Sequence, residues 1–112
     1  MTAMTATKIT MTRHIKEERL DRLTYIAMNV GFGNVVLEQP RVEEGKRDCL
    51  TDTGVLLVKD IMEEVLVTAY IISIDKATAM YKHSGYQAVP TQMRKIIIKN
   101  EKHLKKQNIV KY

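Results

Sequence analysis

The side chains able to do chemistry in this 112-residue chain fall into four groups. His14 is followed by Glu18 at i+4 and Asp21 at i+7, with Arg19 and Arg22 close by. Thr51, Asp52 and Thr53 stand together before Gly54. Thr68 and Tyr70 alternate along an otherwise apolar stretch. Lys95, Lys99, Lys102 and Lys106 recur at i, i+4, i+7 and i+11, with Arg94 beside them. An imidazole next to two acids is either part of a solvated polar face or an acid/base facing a cleft. Hydroxyls in an apolar strand need hydrogen-bond partners. Thr68 and Tyr70 are therefore either strand and core residues with wet tips or the border of a site. A row of lysines is either the wet back of a helix or a face for phosphates, giving salt-dependent, sequence-blind binding.

The elements that must position these groups follow from periodicity. Residues 13–30 read as a helix, with Leu20, Leu23, Ala27 and Val30 as its apolar stripe and Ile26 widening it. Thr12 is its expected N-cap, and Gly31 its stop. On that helix His14 lies nearly opposite the stripe. Residues Cys49 to Ile72 form the longest apolar block, and their β-branched and aromatic content suits strands. Four strands are expected: Asn34 to Gln39, stopped by Pro40; Arg47 to Thr51; Val55 to Lys59; and Val65 to Ile72. Arg47, Cys49 and Thr51 share one face by alternation, as do Leu66, Thr68, Tyr70 and Ile72. The links, Pro40 to Gly45 among them, are short enough for an antiparallel meander. A second helix spans Ser73 to His83 with Ser73 as N-cap. A third spans Thr91 to Gln107, with Met93, Ile96, Ile97 and Leu104 as its seam. Residues 1–11 are expected either without order or with Lys8 to Met11 as an edge strand. Asn108 to Tyr112 is too short to classify.

The fold class is therefore α+β in a single domain, 1–112: an N-terminal helix on a four-stranded antiparallel meander, then two C-terminal helices. With 45% hydrophobic residues but 5% aromatic and no Trp, the core must come from Val, Ile, Leu and Met. No apolar run is long enough to span a membrane, and no signal peptide is expected. The single cysteine, Cys49, forms no intrachain disulfide and is expected buried in a cytoplasmic protein. No metal and no cofactor is expected. The net charge of +5 is unevenly spread. Residues 91–112 hold seven Lys or Arg against one acid, Glu101, a balance of +6, whereas residues 1–90 balance at −1. The basic end is the one that would meet a polyanion.

Phosphate loops of Gly-Lys type, HExxH and G-x-S-x-G are absent from the sequence. Asp52-Thr53-Gly54 is similar to the turn of retroviral-type aspartic proteases, where two subunits each supply one Asp. Three expected helices do not fit that all-β pattern, and Asp52 reads as a turn residue. The order helix, antiparallel sheet, helices resembles the BECR superfamily, which joins barnase, EndoU, colicin nucleases and RelE-like toxins. Its phage-associated members pair a His- and Arg-bearing first helix with a hairpin rich in Thr and Tyr. The matching positions are His14 and Arg22, Thr51 and Thr53, and Thr68 and Tyr70, over roughly residues 12–83. Glu18 stands where the pattern often has Arg, with Arg19 directly after it.

That resemblance implies metal-independent RNA cleavage. His14 would be the base or acid, and Arg22 or Arg19 would steady the phosphorane. Tyr70 would donate a proton or orient the phosphate, and Thr51, Thr53 and Thr68 would hold it by hydrogen bonds. The alternative is a non-enzymatic regulator or inhibitor. It would use Arg94, Lys95, Lys99, Lys102 and Lys106 to hold nucleic acid or an acidic protein. A plainer possibility is an interaction protein, paired with its own copy through a sheet edge.

Overall fold

The computed structural model describes residues 20–107, with side chains from Arg22 to Lys105. The expectations for residues 1–11, the Thr12 cap, His14, Glu18, Arg19 and the tail from Asn108 lie outside those residues. So do the side chains of Leu20, Asp21 and Lys106. In chain order the elements are α1 (Leu20–Asn29), β1 (Val35–Arg41), β2 (Lys46–Thr51), β3 (Val55–Asp60), β4 (Leu66–Ile71), α2 (Ile74–His83) and α3 (Thr91–Gln107). The four strands form one antiparallel sheet in the order β1-β2-β3-β4. The architecture is thus α+β: a helix, an antiparallel meander and two further helices.

The sheet has an apolar cluster on each side. Leu23 and Ile26 of α1 pack with Cys49, Val55, Leu57, Leu66, Ala69 and Ile71 on one side. Ala77, Met80 and Tyr81 of α2 pack with Leu50, Leu56, Val58 and Ile72 on the other. The central strand β3 is buried from Val55 to Lys59 because both of its faces are covered. This is why its sequence is a continuous apolar run and not an alternation. α3 contributes to both clusters, with Met93 and Ile97 on the α2 side and Leu104 on the α1 side. Helix ends follow local chemistry. Ser73 Oγ accepts the Lys76 N–H at 3.1 Å and caps α2. Gly31, at φ 83°, donates to the Ile26 carbonyl at 2.7 Å and closes α1. In the β3–β4 link, Asp60 Oδ1 accepts the N–H groups of Met62 and Glu63, both at 2.9 Å.

Three expectations need correction. Pro40 does not stop the first strand; it pairs opposite Arg47 inside β1, which runs on to Arg41. Among the described residues β1 is an edge strand, and a residue lacking an N–H is tolerated where the ladder ends. Ala27 is exposed, because α1 turns Leu23 and Ile26 toward the sheet. Leu66 does not share a face with Tyr70. β4 has an irregularity where Val58 pairs Thr68 but the next residue, Lys59, pairs Leu66. This bulge sends Leu66 to the α1 side while Tyr70 and Ile72 stay on the α2 side.

One buried charge had no forewarning in the sequence pattern. Asp48 is 0% exposed on β2. Arg41 reaches its Oδ1 through Nε at 3.2 Å and Nη2 at 3.0 Å, and Lys76 Nζ lies 3.3 Å from Oδ2. The carboxylate thereby ties β2 to β1 and to α2.

Candidate functional site

The β2–β3 turn and the loop after α1 are laced together by short polar side chains. Asp52 and Asn34 are joined twice. The Asp52 N–H donates to the Asn34 carbonyl at 2.9 Å, and the Asn34 N–H donates to Asp52 Oδ1 at 3.0 Å. Thr53 Oγ1 donates to the Gly31 carbonyl at 2.7 Å. Its single proton is thereby used, so Thr51 donates in the 3.0 Å contact between the two hydroxyls. Thr51 Oγ1 also accepts the Val55 N–H at 3.3 Å. Gly33, at φ 70°, permits this closeness, since a Cβ there would sit 2.9 Å from Thr53 Oγ1.

α3 crosses this turn. Asn100 Nδ2 donates to the Thr53 carbonyl at 3.1 Å. At Gly54, with φ 81°, an added Cβ would lie 2.8 Å from that amide nitrogen and 3.2 Å from Ile96 Cγ2. The crossing leaves a cavity of about 420 Å³ between α1, the turn and α3. α1 lines it with Tyr25, Asn29 and Val30; the turn with Asp52 and Thr53; and α3 with Ile96, Lys99, Asn100 and His103. The α3 residues stand at i, i+3, i+4 and i+7, one face of the helix, and Tyr25 and Asn29 stand at i, i+4 on α1. An imidazole, an ammonium, a phenol and a carboxylate therefore border one concavity.

The described residues among those expected to be catalytic divide between two places. Arg22, Thr68 and Tyr70 are brought together at β4, the last strand of the described sheet, where the Arg22 side chain of α1 reaches round to the face that carries Tyr70. Arg22 Nη2 donates to Thr68 Oγ1 at 3.4 Å, and its guanidinium carbon stands 4.0 Å from the centre of the Tyr70 ring. This is a cation–π contact with a hydrogen bond beside it. Thr51 and Thr53 lie on the far side of β3, at the β2–β3 turn. Of the residues expected from the sequence, the cavity takes in Thr53 and Lys99 but not Arg22, Thr68 or Tyr70.

On α3 the side chains of Arg94, Lys95, Lys99 and Lys102 are all exposed, while Met93, Ile97 and Leu104 are buried. The basic row is a solvent-facing surface, and Lys99 belongs both to it and to the cavity. Cys49 is 1% exposed, and its thiol is raised to about 11, first by burial and then by the Glu38 carboxylate. It is a packing residue, not a nucleophile.

Tyr25, Asn29, Asn100 and His103 escaped the sequence reading. The i, i+4 spacings of Tyr25 with Asn29 and Lys99 with His103 were visible. That the two faces meet over the Thr51–Gly54 turn depends on how both helices cross the sheet. Among the described residues, no group of three or more His, Cys, Asp or Glu is placed to hold a metal ion, and no helix is long and apolar enough to cross a membrane. Comparison with protein families, with curated proteins and with solved structures finds no match.

Proposed function

We propose that the protein binds nucleic acid, RNA foremost, through the basic face of α3. The observation that carries this is the exposed run of Arg94, Lys95, Lys99 and Lys102 on a helix whose other face is anchored in the core. A rigidly docked helix presents its cations at fixed spacing, and phosphate contacts from such a row release counterions and confer affinity without sequence preference. The +6 balance of residues 91–112 adds a long-range attraction for a polyanion. A reducing, cytoplasmic setting suits the lone, buried Cys49. The test is binding of labelled single-stranded RNA over a salt series. Lys95→Gln with Lys102→Gln is expected to weaken binding and to lower the slope of log K against log salt by about 1.4, at about 0.7 per lost phosphate contact. An unchanged slope would refute the assignment.

A second reading, metal-independent RNA cleavage of BECR type, draws support from one observation. Arg22, Thr68 and Tyr70, chosen from the sequence for that chemistry, do lie together. In that reading Arg22 steadies the phosphorane and Tyr70 supplies or orients a proton, with His14 as the base. Incubation of labelled RNA in EDTA with the wild type, His14→Ala and Tyr70→Phe decides it. Cleavage by the wild type that both variants lose supports it, and absence of cleavage by the wild type removes it.

A further inference from the structure

We propose that the cavity between α1, the β2–β3 turn and α3 is a binding site for one nucleoside monophosphate unit. Its phosphate would lie at Lys99 and His103, with its sugar and base toward Tyr25 and Asp52. The volume, about 420 Å³, lies in the range of roughly 300–1,000 Å³ usual for small-ligand sites.

The donor set gives the site a direction. Thr53 spends its proton and Asn100 one of its two amide N–H groups on the wall itself, and Asp52 Oδ1 is held by the Asn34 N–H. The Lys99 ammonium, the His103 ring and the Tyr25 hydroxyl take part in no hydrogen bond or ion pair among the described residues, yet all three border the cavity. Lys99 and His103 are i, i+4 neighbours, so they can close on one anion. A phosphate monoester, with close to two negative charges and three acceptor oxygens, matches donors of this kind.

Asp52 lies on the turn side and repels a bare anion there. Its carboxylate is matched instead by an N–H donor at the ligand's other end, such as the ring N–H of a uracil base. Val30 and Ile96, with the Tyr25 ring, offer apolar surface to a flat body between the two ends. A nucleotide has a phosphate at one end and, at the other, a flat base edged with N–H donors, with the sugar between them. Inorganic phosphate lacks the second and third, and a nucleoside lacks the first.

The unit can arrive as a free nucleotide or as one residue of a strand lying on α3. Only the second source rests on the nucleic-acid reading above. The experiment is a calorimetric and NMR titration with UMP, uridine, inorganic phosphate and a short oligouridylate. It uses the wild type, His103→Gln and, as a charge control on α2, Lys82→Gln. His103 and Lys82 are both exposed, so neither change empties the core.

Saturable UMP binding is expected, with Tyr25 and Asn100 resonances shifting. His103→Gln should weaken it about tenfold, the effect of one charge-assisted hydrogen bond, and Lys82→Gln should leave it unchanged. Uridine and phosphate should each bind at least about tenfold more weakly than UMP, since each lacks one set of contacts. Displacement of the oligouridylate by UMP identifies the strand as the source; UMP binding without displacement identifies the free nucleotide. If the oligouridylate binds and UMP does not, the cavity assignment is overturned while the α3 reading stands. If UMP binds and the oligouridylate does not, the reverse holds. Equal binding of UMP and phosphate also overturns the proposal.

Discussion

Glu38 of β1 and Leu57 of β3 flank Cys49 across the sheet, and this small neighbourhood decides the behaviour of the chain's single thiol. Its folded-state pKa of about 11 stands above the ordinary 9.0. The folded state therefore keeps the proton longer than the unfolded chain does. The neutral thiol's contribution is complete below pH 9 and declines as pH rises toward 11, at about 1.4 kcal/mol per unit. Over pH 9 to 11 the urea midpoint of the wild type should fall more steeply than that of Cys49→Ala. Equal slopes would show that the thiol is not held in this way. The Thr53 hydroxyl bridges Gly31 and Thr51, so Thr53→Val strands an acceptor and a donor. A loss of about 1–3 kcal/mol in denaturant unfolding is expected. At this scale the sequence showed that Thr51 and Thr53 share a turn. It could not show that the Thr53 hydroxyl is taken by the loop after α1, because that loop is close only in the folded chain.

At the scale of elements, local signals were read well where they are local. Ser73 caps α2, Gly31 ends α1, and α3 spans Thr91–Gln107 as its seam foretold. The misses arose where a neighbour strand decides the outcome. Pro40 is harmless because no described strand pairs on its outer side, and Leu66 changes face only because β4 is bulged against β3. Asp48 alternates into a core position, and only the reach of Arg41 and Lys76 makes a carboxylate tolerable there. Asp48→Ala removes the carboxylate that stands 3.3 Å from Lys76 Nζ and opens a gap between β2 and α2. Arg41 keeps Glu44. The partners are about a quarter exposed and can recover water, so the expected cost is about 2–3 kcal/mol, below the full penalty of a broken buried pair. A change under about 0.5 kcal/mol in urea unfolding, the scale of a surface substitution, would show that the charges are already solvated.

At the scale of the molecule, α1 serves one side of the sheet and α2 the other, while α3 alone among the described helices serves both. Leu104→Ala should therefore weaken both sides together. The expected cost is about 2–5 kcal/mol, with tyrosine fluorescence and backbone circular dichroism melting in a single coincident transition. Separate transitions would mean that the two layers unfold independently. The candidate cavity was illegible in the sequence for the same reason. Its walls come from three elements whose meeting is a property of the whole packing.

α3 works as a girder fastened at both ends. A molecule that seats against its Ile96–His103 side grips the same bar that holds the two halves of the protein together, so its capture must register as heat resistance of the entire body. At a hundredfold excess over its dissociation constant, such a compound adds about 2.7 kcal/mol to the folded state. A plain melting-curve survey of metabolites would then be a sensitive way to find what this protein carries, with no assay for any reaction required.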